Sequence, residues 1–217
     1  MPRHPTIDPP ARWPVVAAML VICGLYSTLP KELTIGPEWL LLVVSVALII
    51  PTSLTHRSGH VRLNNIFAHT SLAVITIGLV TSLVLLLMRL PGKLDSPLRI
   101  LRVAFALWTG NVLLFACWYW RLDGGGPNKR DELGVHTDGA FLFPQMTMTK
   151  ELRRQMGEDE WRPAFSDYLF VAFNTSTAFS PTDVPVLSRW AKILMMVQSI
   201  ISLTTIALLA ARAVNIL

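Results

Sequence analysis

The residues of this chain that could bind, coordinate or react are few and scattered. Five histidines are present, His4, His56, His60, His69 and His136, with two cysteines, Cys23 and Cys117. His56 and His60 stand four apart in HRSGH, a spacing that on a helix lets two imidazoles share a metal. Gly59 weakens such a helix, and no Cys, Asp or Glu lies nearby in the sequence, so the segment reads as a solvated interfacial loop and no metal is expected. Both cysteines fall inside apolar runs, where they read as small packing residues and offer no disulfide framework. Gly124-Gly125-Gly126 lacks a following Lys-Ser/Thr and a preceding strand, so it reads as a flexible hinge and not as a phosphate cradle. Asn174-Thr175-Ser176 fits the glycosylation pattern, but its apolar surroundings argue against modification. No constellation of a soluble enzyme emerges, and neither an enzyme nor a cofactor is expected.

One block concentrates polar chemistry. Residues 164–179 read AFSDYLFVAFNTSTAF, with an apolar middle opened by Ser166 and Asp167 and closed by hydroxyls. Thr175, Ser176, Thr177, Phe179, Ser180, Thr182 and Asp183 then run into Pro185, Ser188, Arg189 and a long apolar stretch. Sixteen residues is marginal for a span, which needs about 20. A helix that enters partway and turns back suits this length, since irregular backbone at membrane depth survives only against protein or water. The pattern predicts a helix over 165–177, with Ser166 as its N-cap and Asp167 near the positive end of its dipole.

The elements that position this block are apolar. Of 217 residues, 52% are hydrophobic and only 15% charged, against about 25% charge in an average soluble domain. A disordered chain, a basic nucleic-acid-binding domain and an ordinary soluble enzyme are thereby disfavoured. Uncharged or nearly uncharged runs at 13–30, 39–55, 63–88, 103–120 and 193–211 predict five transmembrane helices. Trp13, Trp39, Trp118, Tyr119, Trp120 and Trp190 sit at run ends, where amphipathic rings favour headgroups. Pro30, Pro37, Pro51, Pro91 and Pro97 punctuate the connections. The fold class expected is all-α and polytopic: five spans plus a short re-entrant pore-like helix, or six spans. In the first case the N-terminus lies outside, in the second inside. Both place 180–188 outside and the C-terminus inside.

Residues 121–163 form the one large extramembrane piece, with 8 of the 14 acids and 7 of the 19 basic residues. It is expected to be mostly irregular and exposed, apart from a few apolar residues in its middle, GAFLFPQMT, that lie on the membrane or on the bundle, and a short amphipathic helix near 148–160 capped by Thr147 or Thr149. Inside the spans, Asn111 and Gln198 are expected to make interhelical hydrogen bonds.

The order of short helix, Thr/Ser-rich turn, Asp-x-Pro, basic edge and long helix resembles the pore module of the two-helix potassium-channel superfamily. The matching residues are Thr175, Thr177, Asp183, Pro185, Ser188, Arg189 and the helix from Trp190. The resemblance covers roughly 99–217, leaving 1–98 as an N-terminal three-helix membrane region. It implies 103–120 as outer helix, 121–163 as a long turret, and a homo-oligomer, a tetramer if channel-like, in the cell membrane. The family's filter carries two glycines, and 178–182 here read Ala-Phe-Ser-Pro-Thr. This divergent member would therefore use hydroxyls and an acidic ring, passing monovalent cations without potassium selectivity. Two alternatives stand beside it: a non-conducting scaffold that binds partners through the same fold, and a small transporter. No nucleic-acid partner is expected.

Overall fold

The computed structural model describes residues 11–37, 39–89, 97–133, 136, 139–159, 161–177 and 184–213. Among them the regular structure is helical: α1 Trp13–Ser27, α2 Leu40–Arg57, α3 Val61–Arg89, α4 Pro97–Leu122, α5 Pro127–Leu133, α6 Pro144–Thr147, α7 Lys150–Gln155, α8 Phe165–Thr177 and α9 Arg189–Ala213. A lone antiparallel bridge joins Phe141 to Val186. Three helices, α3, α4 and α9, are long and apolar enough to cross a membrane; α1 and α2 are apolar but shorter. The reason is visible in α1. Ser27 and Thr28 turn their hydroxyls back onto the Gly24 and Leu25 carbonyls, both at 2.7 Å, and the helix stops before Pro30. Its 15 residues rise about 22 Å, short of a hydrocarbon core of about 30 Å. Pro51 does not end α2 but lies inside it.

Helix α4 is the hub. It packs on α1 and α3 on one side and on α8 and α9 on the other, while α2 lies against α1 and α3. One apolar core runs through all of these elements. Small residues set the close approaches: a Cβ on Gly110 would come within 3.2 Å of Leu79, and one on Gly78 within 3.3 Å of Leu41. In lipid such contact drives helix association in place of the hydrophobic effect. Trp13 is 71% exposed and Trp39 59%, as headgroup-level rings would be. Tyr119 and Trp120, expected in the same belt, are instead buried in the core.

Several helix ends meet at one end of the bundle. Arg12, just before α1, contacts His56 near the end of α2 at 3.2 Å and forms an ion pair with Asp131 of α5. Arg121, at the end of α4, donates to Asn64 and Asn65 near the start of α3. Tyr168, in the first turn of α8, donates to Asp123 just beyond α4.

The segment 121–163 departs from the expectation of an irregular, exposed loop. It carries α5, α6 and α7, the last capped by Thr149 Oγ1, which accepts from the Leu152 N–H at 3.2 Å. Its middle is drawn into the core: Ala140, Phe141 and Phe143 are buried. The Leu142 N–H donates to the Pro185 carbonyl at 3.0 Å, and the Leu187 N–H to the Ala140 carbonyl at 2.8 Å. Phe141 then stands edge-on to both Tyr168 and Trp190, with ring centroids 6.1 and 6.4 Å away.

Candidate functional site

Helix α8 begins as the sequence suggested, but its cap is different. Asp167, not Ser166, reaches back, its Oδ2 accepting from the Ala164 N–H at 2.7 Å. This is the acidic half of a capping box. The second half of the helix is then hydrogen-bonded to α9. Gln198 Nε2 donates to the Ala172 carbonyl and to Ser176 Oγ, both at 2.7 Å. Ser202 Oγ donates to the Ser176 carbonyl at 2.6 Å. The pairs 172–198 and 176–202 share one offset of 26 residues, so α8 and α9 run in the same direction. Extending that offset places Phe165 level with Ala191. The start of α8 and the start of α9 therefore lie at the same level, as Phe141 between Tyr168 and Trp190 independently requires. The end of α8 and the start of α9 therefore stand a full rise of α8 apart along the bundle, about 18 Å for its 12 steps.

The contact is buried and polar. Gln198 is 0% exposed. Its Oε1 accepts from Tyr119 Oη, and its backbone carbonyl accepts from Asn111 Nδ2 at 3.3 Å, so α4 holds the same point. The Asn111 and Gln198 expectation of interhelical bonding is met by this arrangement. An amide is suited to the place because its two ends donate and accept without carrying charge.

A second cluster caps the start of α8. Asp123 is 0% exposed. Its Oδ2 accepts from Tyr168 Oη at 2.7 Å, and its Oδ1 accepts from the Ala140 N–H. His136 Nε2 lies 3.0 Å from Oδ2 but off the axis of an aligned hydrogen bond. Burial alone would push the carboxyl's pKa up; the His136 ring and the Tyr168 and Ala140 donors outweigh it and hold the group below the usual carboxylate range. The Arg130 guanidinium stacks over the Trp120 and Tyr168 rings at 5.7 and 5.6 Å and donates to the Trp120 carbonyl at 3.0 Å. Glycines make the space. Gly124 has φ +57°, and a Cβ on Gly139 would stand 2.4 Å from His136 Nε2. Gly124-Gly125-Gly126, read as a hinge, is thus a fixed turn with three positive φ values. With both carboxylate oxygens occupied, Asp123 acts as a fastener between α4, α8 and the 139–143 segment.

The sequence-predicted residues divide. Thr175 and Ser176 face into the helix bundle: Thr175 Oγ1 donates to the Val171 carbonyl at 2.8 Å, and Ser176 Oγ accepts from Gln198 Nε2. Thr177 is half-buried and donates to the Asn174 carbonyl at 3.1 Å. Phe179, Ser180, Thr182 and Asp183 lie outside the described residues. Sequence reasoning missed Asp123, His136 and Tyr168 as a unit. The one available signal was an acid set immediately before three glycines at the end of an apolar run.

No family model, curated protein or solved structure matches this chain. Among the described residues the fold is all-helical, with three helices long and apolar enough to cross a membrane.

Proposed function

We propose that the protein is a multi-pass membrane protein in which α1–α4 and α9 span the bilayer and α8 is re-entrant. It assembles as a homo-oligomer, a tetramer on the pore-module resemblance, with the return segments 178–183 gathered at an axis as a cation-permeable path. The observation that supports this best is the shared direction of α8 and α9, fixed by the 172–198 and 176–202 pairs. A sixth span would make α8 and α9 antiparallel. A pore loop needs them parallel, with the chain returning between them.

In this reading Thr175 and Ser176 are buttresses and not lining groups. Their hydroxyls and carbonyls are spent on α8 and α9, which fixes the end of the short helix. Phe179, Ser180, Thr182 and Asp183 then line the path. Short α1 and α2 are accommodated by local thinning of the bilayer around their ends.

The test is cation flux in vesicles containing the purified protein. Asp183→Asn removes an acidic ring at little cost in volume. Flux should fall, and most at low ionic strength, where the Debye length reaches about 30 Å at 0.01 M. Wild-type vesicles that pass no cation at any voltage would overturn the conducting reading. A non-conducting scaffold of the same fold would then lead. That second reading is favoured by one observation, the inward commitment of the Thr175 and Ser176 hydroxyls.

A further inference from the structure

A cavity of about 170 Å³ opens among α1, α2, α3 and α4, at the end of the bundle where these helices start or finish. Its inner wall is apolar, with Val15, Met19, Ile49, Ala68 and Leu72. Its outer rim holds Arg12, His56 and Arg121. The two arginines differ. Arg12 is paired with Asp131. Arg121 is only 5% exposed, and its partners among the described residues are amide oxygens: the Asn64 carbonyl at 3.0 Å, Asn64 Oδ1 at 2.8 Å and Asn65 Oδ1 at 2.9 Å. Neutral oxygens orient a guanidinium but do not cancel its charge, and a buried charge without a counter-ion is costly.

We propose that this cavity binds an anionic phospholipid of the surrounding bilayer, with its phosphate at the Arg121 rim and part of one acyl chain in the pocket. Three features converge on that occupant. The charged rim stands at the level of helix ends, where headgroups lie, and the exposed Trp13 ring follows Arg12 at the start of α1. Guanidinium and phosphate match in charge and in hydrogen-bond geometry. The pocket resembles in size the engineered cavity of about 150 Å³ that takes benzene, so it admits a comparable length of chain. The inference goes beyond the pore reading and does not depend on conduction.

Native mass spectrometry of the purified full chain tests it, after exchange into detergent with phosphatidylglycerol, phosphatidylcholine, laurate or inorganic phosphate as separate probes. Phosphatidylglycerol should be retained in preference to phosphatidylcholine, and inorganic phosphate should not be retained. Arg121→Gln should weaken retention by about tenfold or more, the loss of one charge-assisted bond. Ala68→Phe fills the pocket while leaving the rim intact, and guards against a misfolded Arg121 variant. It should also reduce retention, in protein whose helical circular dichroism is unchanged. Equal retention of both phospholipids, or full retention by Ala68→Phe, would overturn the proposal. Retention of laurate without phosphatidylglycerol would overturn the choice of a phospholipid.

Discussion

Gln198 of α9 donates through Nε2 to the Ala172 carbonyl of α8 at 2.7 Å, at a point where neither group meets solvent. This bond and the Ser202–Ser176 bond one turn further on set the direction of α8 against α9. Two bonds at one offset fix direction as well as contact.

Gln198→Leu removes the amide and leaves the Ala172 carbonyl, Ser176 Oγ and Tyr119 Oη without their partner. Interhelical hydrogen bonds in membranes average about 0.6 kcal/mol and reach about 1.7. Loss of a shared one should cost about 1–2 kcal/mol. Thermal unfolding in detergent, followed by circular dichroism, measures it. A midpoint unchanged by Gln198→Leu would remove the network from the list of stabilising features.

The direction of α8 has a topological consequence. Ser166 near the start of α8 and Leu187 just before α9 are both exposed, and the native Cys23 and Cys117 are both buried. Ser166→Cys and Leu187→Cys should each react with a membrane-impermeant maleimide from the same side of sealed vesicles. Labelling from opposite sides would mean that α8 spans the membrane.

Asp123 gives the protein an acid-sensitive fastening. Its folded pKa lies below the ordinary carboxylate value, which is about 3.9. Such a group adds stability above that ordinary value and loses it as the pH falls through the lower, folded value. Asp123→Asn should lower stability at pH 7 by about 1.5–3 kcal/mol, the range for hydrogen bonds to a charged group. It should also flatten the decline of the melting midpoint below about pH 4. Parallel acid-side curves for the two proteins would assign that decline to other carboxylates.

Phe141 pins the long connection to the bundle. Phe141→Ala empties a fully buried ring site between Tyr119, Tyr168 and Trp190, and should cost about 3–5 kcal/mol. In the wild type, trypsin should cut first around α7, where Lys150 and Arg154 are exposed. The 139–143 stretch should survive longer, and a chymotryptic cut at Phe141 or Phe143 should appear early only in the variant. Early cutting there in the wild type would contradict the buried position of Phe141.

Local chemistry wrote much of this structure into the sequence. The helix over 165–177 was legible because an acid-opened apolar run ended by hydroxyls carries its own start and stop. Asn111 and Gln198 were legible as interhelical donors because a lone amide in an apolar span has nowhere else to bond. The class of protein followed from the scarcity of charge. The tertiary structure alone decided the rest. The direction of α8 against α9 depends on a 26-residue offset that hydropathy does not encode. Burial of Asp123 depends on donors 17 and 45 positions away, Ala140 and Tyr168. Burial of Tyr119 and Trp120, and of Phe141 in an apolar stretch that could equally have lain on the membrane, depends on which helices flank them. Propensity and hydropathy act over a few residues, whereas these partners meet only once the helices have packed in register.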